Sequence, residues 1–106
     1  MTEAPELEVG QDVLAQVASV RGSRVVELDG GIRKSRKRPL SIMVNCQGRG
    51  ALKVTVRPIG MKFPLACTEG RVQSAYNQIE VAETHDEASV KVVGASGVRW
   101  SMAVGW

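Results

Sequence analysis

The chain has 106 residues, a formal net charge of +3, 43% apolar residues and 24% charged residues. This length and composition predict one folded domain, because two cores would each be too small and disordered chains are poorer in aliphatic residues. No run of about 18 apolar residues is present, which excludes a helical membrane span.

The N-terminal ten residues, MTEAPELEVG, are acidic and lack the periodicity of a packed element. They predict a flexible acidic tail over residues 1–10, followed by a single β-sandwich domain over residues 11–106. No basic region followed by an apolar stretch occurs here, so there is no signal-peptide pattern. We therefore expect either a cytoplasmic protein or one from which a leader has been removed.

The segment from Asp12 to Val20 fits two structures. Val13, Val17 and Val20 lie on one face of a helix, whereas the valines together with the segment 24–28 fit a β-hairpin. We favour strands here.

A basic run follows and supplies five of the fourteen cations, leaving nine basic residues against eleven acidic ones elsewhere. It lies between a turn at Gly30-Gly31 and a strand start at Leu40, which favours a solvated loop. Two other interpretations stay open: contact with an anionic partner, such as a wall polymer, lipid headgroups or nucleic acid, and a targeting signal. The residues are Arg33, Lys34, Arg36, Lys37 and Arg38.

From Leu40 onward apolar and polar residues alternate with period two, which is typical of strands that send alternate side chains to opposite faces. Runs of this kind cover residues 40–46, 52–57, 61–67, 79–81, 90–92 and 98–104. The last run is the clearest, and it places Trp100 among the core residues as a marker of the fold. Trp106 continues the same parity, and we expect it to cap the core; the alternative is an exposed contact residue.

Glycine and proline separate these runs at intervals of mostly about ten residues, a spacing typical of antiparallel sandwiches. Pro64 lies inside a run and cannot donate to a sheet ladder, which predicts that residues 61–67 form an edge strand. The fold class is therefore all-β: an antiparallel β-sandwich, immunoglobulin-like or a small Greek key, of about seven to eight strands.

Cys46 and Cys67 are the only cysteines, and each falls at the last inward position of a run. This shared parity favours a disulfide, which would stabilise the fold by about 3 kcal/mol. The alternative is two buried free thiols. Two cysteines without CxxC spacing and a distant His85 do not make a metal site, so no metal or cofactor is expected.

No catalytic constellation is apparent. His85 lies in the polar stretch 83–87, where neighbours in sequence do not form a nucleophile, base and orienting group. Gly48-Arg49-Gly50 lacks the frame of a phosphate loop and is interpreted as a turn. We expect no enzymatic activity.

Three segments resemble a known group of domains: VNCQGRGALKVTVRPIG, FPLACTEG and SGVRWSMAVG. The pattern looks like the small Cys-paired β-sandwich domain of actinobacterial cell-envelope lipoproteins and secreted proteins, over about residues 39–105. The resemblance implies that Cys46 pairs with Cys67 and that Val98, Arg99 and Trp100 form the family's C-terminal Val-Arg-Trp. It also implies an extracytoplasmic location, although no lipid-modified cysteine occurs near the start.

These observations lead to two functional hypotheses. The first is a non-enzymatic extracytoplasmic or cell-envelope module that binds an unidentified protein or envelope partner. The second is an electrostatic binder of nucleic acid or another polyanion through the basic loop 33–38.

Overall fold

A computed structural model of the protein describes residues 13–34 and 39–106. The predicted tail at residues 1–10 lies outside these ranges, as do Arg36, Lys37 and Arg38. The described residues contain no helix long and apolar enough to cross a membrane. They form eight strands: β1 Val13–Arg21, β2 Arg24–Leu28, β3 Leu40–Gly48, β4 Gly50–Arg57, β5 Met61–Cys67, β6 Gln73–Ile79, β7 Ala88–Gly94 and β8 Val98–Gly105.

The strands form two antiparallel sheets that pack as a sandwich. Sheet I has the order β1-β8-β3-β6, and sheet II has the order β2-β7-β4-β5. β1 pairs with β8, β2 with β7, β3 with β6 and β4 with β5. The first half of the strands therefore pairs with the second half in reverse order, and the paired strands enclose the core. The predicted β-sandwich is confirmed, and its strand order is that of a jelly roll, which consists of two Greek keys.

The core lies between the sheets and contains the inward residues of the period-two runs. Trp100, Met102 and their neighbours of the same parity on β8 have no exposed surface. Sheet II contributes Leu52, Val54, Val56, Val90 and Val92. Burial of each large side chain stabilises the fold by roughly 1.5–3 kcal/mol. Trp106 is half buried and packs against this core, as the sequence predicts.

Cys46 and Cys67 form a disulfide, and their Cα atoms are 5.7 Å apart. Cys46 lies on β3 in sheet I and Cys67 on β5 in sheet II, so the bond joins the two layers. Trp100 lies opposite Cys46 on the neighbouring strand β8. The pairing predicted from parity and from the family resemblance is confirmed.

The hairpin predicted for residues 12–28 is wrong, although both of its strands exist. β1 belongs to sheet I and β2 to sheet II, and Gly22 and Ser23 carry the chain from one layer to the other. Trp100 Nε1 donates a hydrogen bond to the Gly22 carbonyl oxygen at 2.9 Å. The N–H of Gly94 donates to Ser23 Oγ at 3.2 Å. These two contacts hold the crossover, so each strand packs its inward side chains against the common core.

The sequence pattern places β5 correctly and β6 incorrectly. β5 is an edge strand of sheet II, as Pro64 predicts. The pattern indicates a strand around Ile79 to Val81, whereas β6 ends at Ile79. The half-buried positions of β6 include Gln73 and Asn77. Because these two side chains are polar, the strand carries no apolar alternation that would reveal it.

Candidate interaction surface

The outward-facing side of sheet II brings together cations from three strands. Thr55 on the central strand β4 lies opposite Lys62 on β5 and Lys91 on β7, so these side chains form one row across the sheet. Lys53 and Arg57 lie two residues before and after Thr55 on β4. We call this surface the basic face; its members are Val25, Glu27, Lys53, Thr55, Arg57, Lys62, Pro64, Lys91 and Val93.

The spacing of the four cations follows from sheet geometry. Neighbouring strands lie about 4.8 Å apart and a strand advances about 3.4 Å per residue. Lys62 and Lys91, two strands apart, are therefore separated by about 10 Å between Cα atoms, and Lys53 and Arg57 by about 14 Å along β4. The four positions form a diamond centred on the half-buried Thr55.

The charge of this diamond is not neutralised by the described residues. None of Lys53, Arg57, Lys62 and Lys91 makes an ion pair or a side-chain hydrogen bond with them. The ion pair between described residues, Arg49 with Glu69 at 3.0 Å, lies in the turns at the opposite end of β4 from Arg57. Glu27 is the one acidic member of the basic face. The face therefore keeps a formal excess of positive charge.

An apolar groove of about 670 Å³ adjoins the cations. Pro64 on β5 and Val93 on β7 flank Lys53 in the register of the sheet, and both are exposed. The lining residues are Ala51, Leu52, Lys53, Lys62, Phe63, Pro64, Val93, Gly94 and Ala95. Lys53 and Lys62 belong to both the groove and the diamond, so a ligand in the groove lies within reach of the cations.

The outward side of sheet I has a different character. Tyr76 donates from its hydroxyl to Ser41 Oγ at 3.0 Å, and Ser74 Oγ donates to Asn45 Oδ1 at 2.7 Å. Ser101 Oγ accepts from the N–H of Ser19 at 2.9 Å, and both Ser41 and Ser101 are fully buried. The polar groups of this side are largely bonded to one another.

One polar atom on this side of the molecule is an exception. Arg99 Nε is buried and has no hydrogen-bond partner among the described residues. Arg99 lies directly opposite Arg21 on β1. Two like charges in this arrangement oppose each other, which makes this pair a cost to stability rather than a support.

The basic loop predicted from the sequence is described only at Arg33 and Lys34. Both are exposed, and the N–H of Lys34 donates to Thr84 Oγ1 at 3.1 Å. Ile32 pairs through its backbone with His85, which places this part of the loop beside the acidic segment 83–87. The described part of the loop therefore runs beside an acidic segment of the chain.

His85 is held by its backbone rather than by its imidazole. Its N–H donates to the Ile32 carbonyl oxygen at 2.8 Å, and its own carbonyl oxygen accepts from the N–H of Ile32 at 2.9 Å. Among residues 13–34 and 39–106, no three His, Cys, Asp or Glu side chains are grouped so that they could hold a metal ion. Trp100, the predicted core residue, is fully buried.

The cations of the basic face were not identified as a site from the sequence. The alternating pattern marks Lys53, Lys62 and Lys91 as outward, but it does not say which strands are neighbours. Only the register of β5, β4 and β7 groups them. The signal available in the sequence was the number of lysines and arginines at the outward positions of each predicted strand.

Comparison with known proteins adds no relative to this description. No protein-family model, no curated protein and no solved structure matches the chain.

Proposed function

We propose that this protein is a non-enzymatic, extracytoplasmic binding module that contacts a negatively charged protein or envelope component through the basic face. The observation that carries the proposal is the diamond of four cations around Thr55, which have no ion-pair partner among the described residues. Like charges that share one side of a sheet repel one another, so this grouping does not serve the fold. A partner that supplies carboxylates or other anionic groups would relieve the repulsion.

An extracytoplasmic location is supported by the disulfide between Cys46 and Cys67. Disulfides persist in oxidising compartments and are rare in the cytosol. The bond joins the two sheets, so oxidation stabilises the folded module. The resemblance to envelope lipoprotein domains implies the same location.

A direct test measures the affinity of fluorescein-labelled polyglutamate for the oxidised protein at low salt. The face variant Lys53→Gln/Lys62→Gln/Lys91→Gln should bind at least about tenfold more weakly. Each exposed ion pair with the ligand contributes up to about 1 kcal/mol, so the loss of three pairs together exceeds the roughly 1.4 kcal/mol that corresponds to a tenfold change in affinity. Binding should also weaken as salt is added. If the wild type does not bind polyglutamate at low salt, the proposal is wrong.

The second candidate is polyanion binding through the basic loop, which the exposure of Arg33 and Lys34 favours. The matched variant Arg33→Gln/Lys34→Gln separates the two candidates because it removes charge outside the basic face. The face hypothesis expects this variant to bind polyglutamate within about twofold of the wild type. A loss in the loop variant with none in the face variant would favour the second candidate.

A further inference from the structure

Building on the proposed function, we infer that the basic face binds an extended acidic polypeptide segment with the pattern acidic-x-acidic-x-apolar. The two carboxylates lie over the cation diamond, and the apolar side chain enters the groove between Pro64 and Val93. The inference deepens the proposed function by naming the chemical class of the partner.

The pattern follows from the period of an extended chain. In such a segment alternate side chains point to the same side, with a repeat of about 6.8 Å. Outward positions along β4 repeat with the same period, in the order Arg57, Thr55, Lys53 and Ala51. A segment aligned with β4 therefore places its first acidic residue near Arg57 and its second between Lys62 and Lys91. The third side chain of the segment that faces the protein then lies over Lys53, where Pro64 and Val93 form the walls of the groove.

The chemistry of the groove favours an aliphatic side chain at that position. Val93 is 45% exposed, and the lining is mostly apolar. Removal of this surface from water favours binding by roughly 25 cal/mol per Å². A purely anionic ligand would contact the cations and leave the apolar groove solvated.

Nucleic acid is less well matched to this surface. Single strands bind through aromatic side chains on which bases stack, and the outward positions of described residues on the basic face contain none. A membrane is also a poorer match, because the exposed apolar residues of the groove are alanine, proline and valine, whereas interfacial anchors are tryptophan, phenylalanine and leucine.

The test uses two labelled peptides and the full oxidised protein. The probe is acetyl-ESESLSESESL, which contains the motif twice, and its partner is acetyl-ESESSSESESS, which has the same charge without leucine. We expect the leucine peptide to bind the wild type about tenfold more tightly, the gain from partial burial of one leucine. In the groove variant Val93→Ser this preference should disappear, while the serine peptide binds as before.

Each outcome has a defined meaning. Equal binding of the two peptides by the wild type would overturn the inference, and the proposed function would stand if polyglutamate still bound. A preference for leucine that persists in Val93→Ser would also overturn it, because the groove would not be the cause. Tighter binding of a twelve-nucleotide oligothymidine or of phosphatidylglycerol vesicles at the same ionic strength would assign the face to nucleic acid or lipid instead.

Discussion

The two outward sides of the sandwich differ in how their polar groups are used. On sheet I, Ser41 and Ser101 are fully buried, and hydroxyl and amide groups bond to one another across strands. On sheet II, lysines without ion-pair partners among the described residues lie beside exposed valine and proline. Both sides belong to antiparallel sheets on the same core, so the core does not explain the difference.

The comparison separates a side that supports the fold from a side that is available for contact. A buried hydroxyl that is hydrogen-bonded contributes about 1 kcal/mol, and its loss leaves a neighbour unsatisfied. Exposed lysines contribute little to stability and repel one another when they share a face. Substitutions on sheet I should therefore change stability, and those on sheet II should change binding.

The largest expected effect concerns the bond that joins the two sheets. The variant Cys46→Ser/Cys67→Ser should lower the free energy of unfolding by about 3 kcal/mol, because it restores entropy to the unfolded chain. Urea denaturation followed by circular dichroism measures the change. Wild-type protein treated with dithiothreitol serves as the control and should unfold like the variant. An unchanged urea midpoint after full reduction would show that the sheets do not depend on this bond.

A smaller effect is expected at Ser101, an outward residue of the central strand β8. Ser101→Ala leaves the N–H of Ser19 without its acceptor and should cost about 1–2 kcal/mol. Lys53→Ala, at an outward position of the central strand β4, is the matched control and should stay within about 0.5 kcal/mol. The same thermal or urea melts measure both variants. A larger loss of stability for Lys53→Ala than for Ser101→Ala would contradict the expectation that the outward side of sheet I contributes more to stability than that of sheet II.

The smallest expected loss of stability follows from removal of the hydroxyl of Tyr76, an exposed aromatic residue. Tyr76 and Val93 are exposed to similar degrees, 42% and 45%, on opposite sides of the sandwich. Tyr76→Phe removes the bond to Ser41 Oγ and should cost about 1 kcal/mol. Val93→Thr, which keeps the side-chain shape, should cost less than about 0.5 kcal/mol. Equal urea midpoints for the two variants would mean that the hydrogen-bonded side contributes no more than the unpaired one.

Much of the fold was predictable because its information is local. Alternation of apolar residues identified β3, β4, β5, β7 and β8, and the shared parity of Cys46 and Cys67 indicated their pairing. Pro64 marked the edge strand because proline has no N–H to donate to the hydrogen-bond ladder of a neighbouring strand. These signals depend on single residues or on a period of two.

The arrangement of the strands and the contact surface were not predictable in the same way. Alternation does not say which sheet a strand joins, so β1 and β2 were expected to pair, whereas they lie in different layers. The basic run 33–38 was noticed because its cations are consecutive. Lys53, Lys62 and Lys91 lie on three strands and come together only through long-range pairing.

The most direct test of the two-sided account measures stability and polyglutamate affinity on the same preparations of Ser101→Ala and Lys53→Gln/Lys62→Gln/Lys91→Gln. The account predicts opposite profiles. Ser101→Ala should lose about 1–2 kcal/mol of stability while it remains folded and binds normally. The triple variant should keep its stability within about 0.5 kcal/mol and bind about tenfold more weakly. A folded triple variant with the affinity of the wild type would contradict the account.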